Sequence, residues 1–132
     1  MASFPPLTHV ALTVRDLSVS VPWYEALLEA EPVLDEDTEP DFHHTVYLLG
    51  NGMLLGLHQH KTPAPEGRFS EYRVGLDHVS FGCVDRTELE KWATRLDELR
   101  IPHGDIKDAP YGSGLSFRDP DGIALEFFAP PA

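Results

Sequence analysis

Thr8-His9-Val10-Ala11-Leu12-Thr13-Val14 returns 69 residues later as Asp77-His78-Val79-Ser80-Phe81-Gly82-Cys83. An aspartate follows each copy, Asp16 and Asp85, and then a stretch with helical spacing. Each half also closes on a Gly-led apolar run. Gly52-Met53-Leu54-Leu55-Gly56-Leu57-His58 matches Gly122-Ile123-Ala124-Leu125-Glu126-Phe127-Phe128 at an offset of 70. Two nearly equal offsets spanning half the chain mean a duplicated module. The duplication sets His9, His78 and Glu126 on equivalent strands.

Working outward, Leu7 to Val14 alternates with period 2. His9, Ala11 and Thr13 share one face and Val10, Leu12 and Val14 the other, as in a half-buried strand. A helix follows, with Leu17, Val21, Tyr24, Leu27 and Leu28 as its apolar set. Asp16 can cap it, but Pro22 then falls inside and removes a hydrogen bond. Ser18 or Ser20 as cap would put Pro22 in the first turn. Residues 33–37, 45–49 and 53–60 read as strands, with Gly50-Asn51-Gly52 turning between the last two.

The second copy opens on a strand over 76–84. Thr87-Glu88-Leu89-Glu90 has the form of a capping box with Thr87 as cap. Leu89, Trp92, Leu96 and Leu99 form a core-facing stripe that stops before Pro102 and Gly104. Short strands are expected near Ile106, over 114–117 and over 123–128, with Asp119-Pro120-Asp121-Gly122 as a tight turn. Each module reads β-α-β-β-β. The expectation is an α+β chain forming a single domain over 1–132. Module 1 covers about 4–60, a polar, Pro-containing linker or flap covers 61–73, and module 2 covers about 74–130.

Composition narrows the partners. A net charge of −12 argues against nucleic acid and anionic membranes, whose phosphates need Lys and Arg. No stretch approaches the roughly 20 apolar residues of a membrane span, and the first residues lack the pattern of a signal peptide. Cys83 is the only cysteine, so an internal disulfide is excluded and a reducing, cytoplasmic setting is expected. Cys83 is expected to pack under the helix. The acidic run from Glu29 to Asp41 reads as a solvated face.

Strand parity brings out the chemistry. Glu126 shares a face with Ala124 and Phe128, where a carboxylate among apolar neighbours is costly unless paired or metal-bound. His9 and His78 lie on the faces away from the helices. Two imidazoles and one carboxylate with coordination positions to spare form a facial triad suited to Fe(II), Mn(II), Zn(II), Ni(II) or Co(II). At an offset of 70, Glu126 corresponds to Gly56, so a fourth symmetric ligand is missing. His58 and His60 lie on that face, as an added ligand, a general base or a hydrogen-bond donor. His43, His44 and His103 read as surface residues.

The chain resembles the vicinal oxygen chelate superfamily, which takes in glyoxalase I, extradiol dioxygenases, fosfomycin-resistance thiol transferases, methylmalonyl-CoA epimerase and bleomycin-binding proteins. The resemblance rests on residues 8–14 with Asp16-Leu17, on Trp23-Tyr24 and Leu27-Leu28, on Asp77-His78-Val79-Ser80-Phe81, and on Asp119-Pro120-Asp121-Gly122 leading into Leu125-Glu126-Phe127. It implies paired βαβββ modules forming a cup-shaped mixed sheet, with metal ligands His9, His78 and Glu126, and a homodimer.

Two functions follow as expectations. One is a metal-dependent lyase, isomerase or dioxygenase acting on a small oxygen-chelating substrate, with Glu126 and His58 as catalytic candidates. The other is a non-catalytic protein that sequesters a small molecule or antibiotic in an aromatic-lined cup. Phe42, Tyr47, His60, Tyr111 and Phe128 are the expected substrate-binding residues, with Phe69 and Tyr72 as further aromatic candidates.

Overall fold

The computed structural model describes residues 3–39 and 41–132. It contains two compact units, one ending at Glu66 and one beginning at Gly67. The first runs β1 (His9–Thr13), α1 (Leu17–Leu28), β2 (Leu34–Thr38), β3 (Phe42–Leu48), a 3-10 turn at Gly50–Gly52 and β4 (Leu54–His60). The second runs β5 (Val79–Gly82), α2 (Arg86–Glu98), β6 (Lys107–Ala109), β7 (Gly112–Arg118) and β8 (Ala124–Ala129). The fold is therefore α+β, built from two βαβββ modules. The strand orders match, β1-β4-β3-β2 and β5-β8-β7-β6. In each sheet the first strand runs parallel to the last and the other pairs are antiparallel.

The duplication is visible rung by rung. Ala11 faces Gly56 across β1 and β4, and Ser80 faces Glu126 across β5 and β8. The offset of 69 on one strand and 70 on the other is absorbed by the helices, 12 residues in α1 and 13 in α2.

Period-2 alternation puts one face of each sheet under its own helix. In the first unit Leu12, Val14, Tyr47, Leu55 and Leu57 are buried on the helix-facing side, together with Tyr24 and Leu27 of α1. In the second, Leu115, Phe117, Leu125 and Phe127 are buried with Leu89 and Leu96 of α2, and the Trp92 ring stacks on Phe127 at 4.4 Å. Each such side chain contributes about 1.5–3 kcal/mol of burial free energy. Cys83 is buried as expected, and burial pushes its thiol up to about 11, which makes it unreactive.

Helix starts depart from one expectation. Asp16 caps α1, its Oδ1 accepting from the Ser18 amide at 2.9 Å, so Pro22 does lie inside the helix. Asp85, not Thr87, caps α2. Its Oδ1 accepts from the Glu88 amide at 2.8 Å, while Glu88 Oε2 accepts from the Val84 amide at 2.9 Å. This reciprocal pair starts the helix at Arg86, ahead of the weaker Thr87 alternative. The helices end at residues with left-handed φ, Glu29 at 51° and Arg100 just past α2 at 59°. β5 is shorter than the sequence suggests, so Asp77 and His78 lead into the strand rather than forming part of it. Among the described residues, no helix is long and apolar enough to cross a membrane.

Candidate active site

In the second unit, His78 and Glu126 come together on the sheet face not covered by α2. His78 Nε2 lies 3.7 Å from Glu126 Oε1, and His78 Nδ1 lies 2.7 Å from Asp77 Oδ1. With the proton on Nδ1, the Asp77 carboxylate accepts it, and the Nε2 lone pair is left aimed toward Glu126. Ser80 Oγ donates to Glu126 Oε1 at 2.8 Å. The carboxylate lies against Gly114 on β7: a Cβ there would stand 2.8 Å from Glu126 Oε2. The pair lines a cavity of about 520 Å³ together with Glu71, Asp77, His103, Ser116 and Arg118.

The first unit holds His9 exposed at the start of β1, its Nδ1 2.9 Å from Thr8 Oγ1. The same device thus recurs at both repeat positions, with the preceding side chain engaging Nδ1. Where the repeat lacks the counterpart of Glu126, the His58 ring takes the space. A Cβ at Gly56 would lie 3.5 Å from His58 Nε2. His58 stacks on Phe42 at 4.5 Å and lies edge-on to His44 at 5.7 Å. Burial, then the charges of His44, His60 and His9, lower the His58 pKa, so the ring stays neutral and able to accept a proton. Phe42 and His60 line a separate cavity of about 630 Å³, with Thr13, Arg15, Gln59 and Lys61 among its walls.

Several expectations need correction. Tyr47 does not line an open face. It is fully buried on the helix side, its hydroxyl donates to Glu25 at 3.4 Å, and burial pushes its pKa up. His44 is not a surface residue. It lies within β3, its side chain is 17% exposed, and its Nε2 is 3.2 Å from Glu36. His103 is likewise 17% exposed, engaging Asp97 through Nε2 at 2.8 Å and the Gly104 carbonyl through Nδ1 at 2.7 Å. His43 does read correctly as a polar surface group, between Asp35 and Asp37. Tyr111 and Phe128 stack in parallel at 6.3 Å beyond Glu126 on β8.

The donor chemistry suits a divalent ion. Two ligands on one tetrahedral ion with bonds of about 2 Å stand roughly 3.3 Å apart, close to the 3.7 Å between His78 Nε2 and Glu126 Oε1. Among the described residues, no three His, Cys, Asp or Glu side chains gather into a metal-holding group. The second unit supplies two donors of the expected triad, and His9 belongs to the first unit.

Sequence alone does not mark Asp77, Ser80 or Gly114 as neighbours of the site, and it puts His44 at the surface. The signal for Asp77 was present, because it aligns with Thr8 ahead of the repeated histidine.

Comparison with known proteins agrees with this architecture. The family model for the glyoxalase/bleomycin resistance protein/dioxygenase superfamily matches residues 7–127. A solved glyoxylase/bleomycin resistance protein/dioxygenase domain from Frankia sp. EAN1pec is 32% identical. That match covers 98% of this chain and 94% of the other, with a TM-score of 0.85. The metallothiol transferase FosB of Staphylococcus saprophyticus is 28% identical over 122 residues, 91% of this chain and 74% of that protein. The fosfomycin resistance protein FosX from Listeria monocytogenes shares the fold, with a TM-score of 0.74 at 17% identity over 98% of this chain and 96% of the other. The chain belongs to the glyoxalase/bleomycin resistance protein/dioxygenase superfamily.

Proposed function

We propose that the protein is a metal-dependent enzyme acting on a small substrate that presents neighbouring oxygens, with a divalent ion held by His9, His78 and Glu126. The observation that carries this is the Asp77–His78–Glu126 arrangement, in which an oriented imidazole Nε2 faces a carboxylate at ligand spacing. The likeness to a protein named a metallothiol transferase adds support. When bound, the ion would polarise a substrate oxygen and stabilise developing negative charge. The donor set serves Fe, Mn, Zn, Ni and Co alike, and lyase, isomerase, dioxygenase and group-transfer chemistry all draw on it.

The chain's own groups have distinct tasks in this reading. Asp77 holds the proton of His78 on Nδ1, and the Thr8 hydroxyl orients the His9 ring by a contact with its Nδ1. Ser80 holds the orientation of the Glu126 carboxylate. His58, kept neutral by its surroundings, accepts a proton at a ring nitrogen, and Glu126 is the second proton-moving candidate. Phe42, His60, Tyr111 and Phe128 offer apolar and aromatic contact to substrate. The working form in this reading is a homodimer, supported by apolar side chains left open on the single chain, among them Leu48, Tyr72 and Val74.

The test is turnover of a panel of epoxides, 2-oxoaldehyde–thiol adducts and catechols, each with and without a low-molecular-weight thiol, in Mn(II) buffer. The reading expects product from one class, abolished by chelator and restored by metal. Depletion of a compound without product would instead mean sequestration.

A further inference from the structure

We propose that Arg118 is the anion-recognition residue of the His78–Glu126 site, and that Glu71 is a built-in occupant displaced by a small substrate carrying an oxyanion such as a carboxylate or phosphonate. The inference rests on reading His78 and Glu126 as substrate-site residues.

Arg118 lies on the right face. On β7 it is two residues from Ser116, which pairs with Glu126, and Arg118 itself pairs with Ala124. Ser116, Arg118, Ala124 and Glu126 therefore point to one side, and all line the cavity that holds His78. The diagonal position places Arg118 and Glu126 about 7–8 Å apart, with their β-carbons somewhat closer. A short molecule chelated beside Glu126 can rest its anionic end on the guanidinium.

Charge points to the same residue. Three carboxylates line the cavity, those of Glu71, Asp77 and Glu126, and Arg118 is the single Lys or Arg among the lining residues. An anion entering this wall needs a fixed cation. His103 cannot serve, because its two ring nitrogens are engaged by Asp97 and by the Gly104 carbonyl. Asp77 is committed to His78.

The guanidinium is also arranged for exchange. One terminal nitrogen donates to the Gly122 carbonyl at 3.0 Å, which fixes its orientation. The other donates to Glu71. Glu71 comes from the stretch between Gly67 and His78, which carries no helix or strand. Neighbouring residues anchor that stretch to the β7–β8 turn: the Phe69 amide donates to the Asp121 carbonyl, and the Arg68 guanidinium packs on Gly122. A substrate oxyanion would replace the Glu71 carboxylate on Arg118 by another anionic group. The guanidinium is then never left unpaired in the cavity, and the Glu71 carboxylate is released to water.

The test is an amide and arginine side-chain NMR titration of the full chain with acetate and with methylphosphonate, at constant ionic strength and with chloride as control. Each titration is run with and without Mn(II). In the wild type, saturable shifts at the Arg118 Nε–H and at the Glu71 and Gly122 amides are expected. Glu71→Gln removes the competitor and should tighten binding tenfold or more, whereas Glu98→Gln, a charge removed from α2, should leave it within twofold. Arg118→Met should weaken binding at least tenfold, and Arg118→Lys should weaken it less, which serves if the Met variant does not fold. Equal affinities in the wild type and the Arg118 variants, or no tightening in Glu71→Gln, would overturn the proposal. Anion binding that follows Arg118 without Mn(II) uptake would sink the metal reading alone. Mn(II) uptake with anion binding indifferent to Arg118 would sink this proposal alone.

Discussion

A histidine between two carboxylates titrates differently from one in water, and His43 is so placed, with Asp35 at 2.5 Å and Asp37 at 3.0 Å. Hydrogen bonds to Asp35 and then Asp37 raise its pKa above 6.5, while the Asp35 carboxyl is held down by the same bond. A raised folded value means that the stabilisation is complete below the unfolded pKa of 6.5 and is lost as pH climbs through the folded value. The melting temperature of the wild type should therefore exceed that of His43→Gln at pH 6, and the gap should close by pH 9. Parallel curves would show that the triad of side chains adds nothing. Residue-scale detail was only partly legible in the sequence. Parity alone separates Tyr47 from Phe42, since an odd spacing of five puts them on opposite faces, and the structure buries Tyr47. Parity does not reveal which neighbour a side chain grips, so the Ser80 bond to Glu126 and the His44 contact with Glu36 are visible only in the folded chain.

At the scale of elements, β7 and β8 form the floor of the candidate site, and Gly114 is the clearance between them. A methyl group there would meet the free end of the Glu126 side chain rather than backbone. Gly114→Ala should therefore fold with a stability change within about 1 kcal/mol, because a flexible carboxylate can swing aside. Metal affinity should nevertheless fall about 10- to 100-fold, as it does when a ligand's support is disturbed. Calorimetric Mn(II) titration beside thermal melts reads both. Unchanged affinity would mean that the carboxylate's place over Gly114 is incidental. The elements themselves follow the sequence closely because hydrophobic alternation and the duplication constrain one another. The α2 cap shows the reverse case. Both Asp85 and Thr87 head a plausible box, local pattern alone does not choose, and the alignment of Asp85 with Asp16 identifies the cap that forms.

For the whole molecule, duplication explains both the shared strand order and the places where the two units differ. The same rung carries Ser80 and Glu126 in the second unit but Ala11 and Gly56 in the first, where the His58 ring fills the space. The second unit brings together a carboxylate and a histidine, and the first groups the rings of His44, His58 and His60. The sequence makes this division visible because a ligand missing from a repeat stands out against its copy. It does not reveal contacts such as that of Arg118 with Glu71, which join residues far apart in the chain. The central proposal is that His9, His78 and Glu126 hold one divalent ion. The most direct test is elemental mass spectrometry of anaerobically purified, untagged protein, compared with His9→Ala and His78→Ala. About one transition-metal ion per chain, lost in both variants, is the predicted result. No stoichiometric metal after each ion is supplied, or metal retained in either variant, would contradict it.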